Sequence, residues 1–169
     1  MDMNIDKAKW YPLYTKSRHE KKAYENLIKA GYEAFLPLRK SERKWSDRKK
    51  IIDVPLIPSY VFSRFSRSEM NEVLKIYGIS RYIKFNGKPA YVRDNEIELL
   101  KKALETDNEI NTMDSNLKKG SIVEIMSGPF KGFSGRVIRS SGNKKLVIEL
   151  EAINQTFCVT LDKFTEFKK

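Results

Sequence analysis

Lys119-Gly120-Ser121-Ile122-Val123-Glu124-Ile125 and, one residue on, Ser127-Gly128-Pro129-Phe130-Lys131-Gly132-Phe133-Ser134-Gly135-Arg136-Val137 decide how the second half of the chain is read. An apolar strand runs into a glycine-rich connection and out into a second strand. Gly128 and Pro129 open a tight turn, and Gly132 and Gly135 are expected to take backbone angles that a Cβ resists. Phe130 and Phe133 fall near the loop tip. Further short apolar runs follow at Val137 and Ile138, at 146–150 and at 156–161, separated by Gly-containing or polar turns. Short strands at this spacing predict a small closed barrel, whose closure removes exposed sheet edges.

Upstream, residues 106–117 hold no basic residue in a basic protein and have no period, which predicts a linker. The chain before it opens as β-α-β. Residues 10–15 read as an aromatic strand. Ser17, with Glu20 three residues on, has the form of a capping box. Ala23, Tyr24, Leu27, Ile28 and Ala30 share a helical face that Gly31 ends, and residues 32–36 form a second strand closed by Pro37. Residues 39–50 are strongly basic, with Trp45 among them and a turn at Ser46-Asp47, which predicts an exposed hairpin or loop. Residues 51–56 and 60–65 return as strands. Ser68 is read as capping a short helix with Met70, Val73, Leu74 and Tyr77 on its apolar side. A strand at 81–85, a turn at Asn86-Gly87 and a helix capped by Asp94 complete this half, the helix carrying Ile97, Leu100, Lys101 and Leu104 at helical spacing.

The net charge of +11 in 169 residues, with a pI near 9.6, points to a polyanionic neighbourhood. No apolar run approaches the roughly 18 residues that span a bilayer, and the polar start has no signal core, so a soluble, cytoplasmic chain is expected. Cys158 lies in an apolar run and is expected to be a buried strand cysteine. One histidine, one such cysteine, no phosphate-cradling loop and no metal-spaced cluster argue against an enzyme, a cofactor or a metal site.

The tail quoted above resembles the KOW motif. Trp10-Tyr11-Pro12-Leu13-Tyr14-Thr15-Lys16, the basic helix after it and Pro55-Leu56-Ile57-Pro58-Ser59-Tyr60-Val61-Phe62 resemble the N-terminal (NGN) domain of the NusG family. The order of domain, linker and KOW covers nearly the whole chain. The resemblance implies an α+β fold. A four-stranded antiparallel sheet flanked by helices (1–106) leads through a linker (107–117) to a small SH3-like KOW barrel (118–169). It implies a transcription antitermination and elongation factor, monomeric and without catalysis. The alternative is a ribosome-associated or RNA-binding KOW protein. Housekeeping members usually read phenylalanine-phenylalanine-proline-glycine-tyrosine where this chain has Leu56-Ile57-Pro58-Ser59-Tyr60. The region after Leu38 also lacks their longer insert, so the likeness leans to specialised RfaH/UpxY-like paralogues.

Family members grip the clamp helices of the largest RNA polymerase subunit through a concave apolar patch. Carried over position by position, that patch is Tyr14, Ile57, Pro58, Tyr60 and Phe62. Strand alternation puts Tyr60 and Phe62 on one face, and Trp10, Pro12 and Tyr14 on one face, with Trp10 assigned to the core. Lys16, Arg18, His19, Lys21 and Lys22 are the implied nucleic-acid contacts, near the non-template DNA strand. Phe130, Lys131 and Phe133 are the implied KOW contacts for a small-subunit ribosomal protein or the Rho helicase, unless one phenylalanine plugs the barrel. The family's histidine-threonine-threonine motif has no match at Ser66-Arg67-Ser68-Glu69-Met70.

Overall fold

The computed structural model describes residues 6–106, 108–113 and 120–168. By contacts the chain divides into two units, Met1–Val92 and Arg93–Lys169.

The N-terminal unit is organised around β1 (Lys9–Thr15), which is buried along most of its length. The chain continues through α1 (Glu20–Lys29), β2 (Glu33–Phe35), the hairpin β3 (Leu38–Trp45) and β4 (Arg48–Pro55), and β5 (Tyr60–Phe65). A 3-10 turn (Arg67–Glu69) leads into α2 (Met70–Leu74), β6 (Ile79–Tyr82) and the small hairpin β7 (Lys84–Phe85) and β8 (Lys88–Pro89). Four strands form an antiparallel sheet in the order β2-β5-β1-β6. Alternation decides what each face buries. Tyr11, Leu13, Val61 and Phe65 pack with Ala23 and Leu27 of α1 and Met70 and Val73 of α2 in one core. The other face carries Trp10, Pro12 and Tyr14, in register with Arg64, Phe62 and Tyr60. Trp10 is buried, and its carbonyl accepts a hydrogen bond from Val92 N–H at 2.8 Å.

The helix ends depart from the sequence reading. Ser17 does not cap α1. His19 holds the N-cap position without a side-chain cap bond, and Arg18 before it sits at φ 59°. Glu20 turns instead toward a distant loop. Ile28 and Ala30 of the expected apolar face are exposed. Ser66, not Ser68, caps the 3-10 turn, its N–H donating to Glu69 Oε2 at 2.8 Å. The Arg67 and Ser68 N–H groups donate to the Asp6 carboxylate at 2.8 and 2.7 Å. The Ser68 hydroxyl and N–H, then Arg67, hold the Asp6 carboxyl below its ordinary range. Tyr77 is exposed rather than on the buried side of α2. Arg93, not Asp94, precedes the last helix, and its N–H donates to Glu96 Oε2 at 2.7 Å.

The second unit begins with that helix, α3 (Asp94–Glu105), which buries Ile97, Leu99, Leu100 and Ala103. Then come β9 (Ile110–Thr112), β10 (Ser121–Ile125), β11 (Ser134–Ser140), β12 (Asn143–Leu150), β13 (Gln155–Thr160) and β14 (Phe167–Lys168). They form one antiparallel sheet in the order β14-β10-β11-β12-β13-β9, and α3 packs along β12. Ile125, Leu146, Ile148, Leu150, Phe157 and Val159 fill the core beside buried Cys158. Six consecutive antiparallel neighbours in so short a chain make the β-rich unit that the KOW reading expects. The expected linker lies partly outside the described residues, at 107 and 114–117. Inside it, β9 pairs with β13, Thr112 opposite Phe157. An edge strand needs backbone partners more than apolar side chains, so its polar sequence concealed it.

Gly132 does occupy the left-handed region, at φ 88°. Gly135 does not. A Cβ there would lie 2.8 Å from Leu146 Cδ1, so space rather than backbone angle favours glycine.

Candidate functional site

At one end of the central strands the chain turns through Leu56-Ile57-Pro58-Ser59 into β5. Ser59 sits at φ 65°, a left-handed conformation that side chains other than glycine resist. Two long-range bonds hold it there. Its N–H donates to Glu20 Oε1 at 2.8 Å, and its carbonyl accepts from Thr15 N–H at 2.8 Å. Glu20 is itself buried, which explains why it is not spent on a local cap.

This turn delivers Tyr60 opposite Tyr14. Their rings meet edge to face, with centroids 5.4 Å apart. On the other side of β1, Arg81 pairs with Tyr14 across β6 and sets its guanidinium 4.6 Å over the Tyr14 ring. Tyr60, Tyr14 and Arg81 therefore form a row across three neighbouring strands. The tyrosines are half-buried and Arg81 is exposed. Burial, then Tyr14, raises the Tyr60 hydroxyl above its ordinary range, while Arg81 pulls the other way. An aromatic row closed by a cation offers area and a polar edge at low entropic cost.

The other carried-over residues divide by exposure. Pro58 is exposed beside the row. Ile57 and Phe62 are buried, at 3 % and 0 % exposure, and present little surface to a partner. Phe62 pairs with Pro12 on the face that also carries the tyrosines, with the Phe35 ring 6.2 Å away. Sequence reasoning missed Arg81 and Glu20, because register and a contact 39 residues away place them.

Lys16, Arg18, Lys21 and Lys22 are exposed at the start of α1. They are not equally available. Lys21 Nζ donates to the Asp53 carbonyl at 2.8 Å, and Lys22 lies 3.8 Å from Glu25. His19 is half-buried, 2.7 Å from the Ser17 carbonyl through Nδ1 and 3.3 Å from the Tyr77 hydroxyl through Nε2. Lys16 Nζ stands 5.0 Å from the Tyr77 ring centre. Tyr77 thus joins this group, a role that its place after α2 did not suggest.

In the second unit Phe130 points inward, 1 % exposed, and is one of the largest fully buried side chains. Lys131 is exposed and Phe133 half-buried. The loop is tight, with Gly132 N–H donating to Ile125 O at 2.8 Å and Phe133 N–H to Phe130 O at 3.0 Å. Phe133 lines a pocket with Ile122, Leu99 and Val147. Phe164, exposed at 91 %, had no signal in the sequence beyond its type. Among the described residues no helix is long and apolar enough to cross a membrane, and no three His, Cys, Asp or Glu residues are gathered to hold a metal.

A sheet-and-helix unit followed by a β-rich unit with a KOW-type loop defines a two-part chain of the NGN-and-KOW class. The family model described as "Transcription termination factor nusG" matches residues 8–101, and the KOW motif model matches 119–149. The chain belongs to the NusG family of transcription termination and antitermination factors. It is similar to the transcription termination/antitermination protein NusG of Streptococcus pyogenes, 25% identical over 162 residues, covering 87% of this chain and 89% of that protein. It is also similar to a solved structure of Thermotoga maritima NusG, with 26% identity, a TM-score of 0.49 and coverage of 92% and 93% of the two chains. The family match runs into α3, whereas contacts group α3 with the second unit.

Ser59 occupies the place where the housekeeping pattern has glycine. Ser59→Gly relieves a left-handed serine and also frees the unfolded chain, two effects of opposite sign. The expected net result is a gain of about 0.5–1 kcal/mol. Urea denaturation of the two proteins measures it.

Proposed function

We propose that this protein is a non-catalytic elongation and antitermination factor that binds bacterial RNA polymerase through its N-terminal domain and recruits a second partner through its KOW domain. The observation that carries this reading is the Tyr60-Tyr14-Arg81 row with Pro58 beside it, a partly exposed aromatic and cationic surface at one end of the sheet. Tyr14, Pro58 and Tyr60 make the contact, and Ile57 and Phe62 support it from beneath. Lys16 and Arg18, with His19, Lys21 and Lys22 nearby, face the non-template strand. Lys131 and Phe133 contact the KOW partner, a small-subunit ribosomal protein or Rho. The functional division is 1–106, 107–117 and 118–169, acting as a monomer in the cytoplasm. The Leu56-Ile57-Pro58-Ser59-Tyr60 sequence and the compact hairpin support a specialised, RfaH/UpxY-like role.

The test is retention of purified bacterial RNA polymerase by the immobilised protein. Tyr60→Ala alone is expected to weaken retention about tenfold, as loss of an aromatic anchor does. Tyr14→Ala with Tyr60→Ala should abolish it, while circular dichroism stays unchanged. Failure of the unaltered protein to retain polymerase overturns the reading.

A further inference from the structure

The β3–β4 hairpin is a part of the N-terminal unit that the tyrosine row does not use. Its strands have eight residues each and pair without interruption from Leu38↔Pro55 to Trp45↔Arg48. At about 3.4 Å per residue the arm is about 27 Å long. Directly opposite residues share a face and successive residues alternate, so the register sorts the charges. Arg39, Arg43, Trp45, Arg48 and Lys50 fall on one face, with Ser41, Ile52 and Val54 completing it. The other face carries Lys40, Lys44 and Lys49 together with Glu42 and Asp53, and Lys49 pairs with Glu42 at 3.3 Å. The first face therefore holds four exposed cations and no acid. Among the described residues none of the four is in an ion pair.

Trp45 ends that face and is 73 % exposed. Folding gains little from an indole left in water, and the hairpin keeps it at the tip beside Arg48 and Arg43. We propose that this face binds single-stranded nucleic acid, with Arg39, Arg43, Arg48 and Lys50 along the phosphates and Trp45 stacked on an unpaired base. Guanidinium groups match phosphate oxygens in pairs. An indole needs an open base face, which an intact duplex offers only at its ends, so the tryptophan selects single strands. The inference stands on the hairpin's register and does not depend on polymerase binding.

The experiment uses the full chain and a fluorescein-labelled twelve-nucleotide thymidine strand, read by anisotropy and by tryptophan fluorescence. Trp10 is buried, so quenching on binding reports Trp45. Trp45→Ala should weaken binding about 5- to 150-fold, the range that loss of one stacked base produces, and Trp45→Phe should retain most of the affinity. Arg43→Ala with Arg48→Ala should lower affinity and flatten the salt dependence by about 1.4 in log–log slope, at about 0.7 per phosphate contact. Lys44→Ala with Lys49→Ala removes equal charge from the opposite face and should change affinity less than about twofold. Equal losses from the two faces, absence of quenching, or equally tight binding of the matching duplex would each overturn the proposal. Polymerase retention by Trp45→Ala should be unchanged, which keeps this test separate from that of the tyrosine row.

Discussion

Phe130→Ala is expected to destabilise the C-terminal unit by about 3–5 kcal/mol, the range for removing a buried aromatic ring. The ring is 1 % exposed and comes from a loop, not from a strand. Its loss opens a cavity that the tight bonds at Ile125, Phe130 and Gly132 keep from collapsing. Phe133→Ala is a different change. That ring is half-buried at a pocket edge, and its removal should cost within about 1 kcal/mol. Urea denaturation of both variants separates the plug from the contact residue. A near-neutral Phe130→Ala would return Phe130 to the partner surface and contradict its inward position. With the expected result, the glycine-rich loop has two jobs in adjacent turns. One phenylalanine anchors it, and Lys131 and Phe133 stay at its surface, open to the proposed partner.

The sequence was most readable where one local rule decides the outcome. Period-two alternation correctly set Tyr60 with Phe62 and Tyr14 with Pro12, the β1–β5 register then brings the two sets onto one face, and Ser46-Asp47 does turn the basic hairpin. Alternation gives direction but not what lies above a residue. That is why Phe62 reads as surface in the sequence and is fully buried in the fold. Capping failed for a related reason. Ser17 and Glu20 have the right spacing, but a buried carboxylate gains more from a distant N–H than from a solvated helix end. The strand at Ile110–Thr112 was hidden because its pairing with β13 is a backbone matter that side-chain composition does not record. Arg81 shows the same limit at the site, since only the β1–β6 register brings it over Tyr14.

Glu20→Ala is expected to cost about 2–3 kcal/mol, the upper range for losing a hydrogen bond to a charged group when its partner is left in a partly buried place. The carboxylate is the acceptor for Ser59 N–H, and Ser59 is already in a left-handed conformation that needs support. Without it the Ile57–Tyr60 turn loses one of two long-range ties, leaving the Thr15 N–H bond to the Ser59 carbonyl. Tyr60 leaves this turn directly, so its edge contact with Tyr14 should loosen as well. Glu20→Ala should therefore weaken polymerase retention although Glu20 presents almost no surface. Glu20→Gln keeps an oxygen acceptor and should recover much of both losses. Combining Glu20→Ala with Ser59→Gly tests the coupling. Glycine removes the strain that the carboxylate offsets, so the double variant should lose less stability than the two single effects predict. Strict additivity, measured by urea denaturation, would show that Glu20 does not hold the turn.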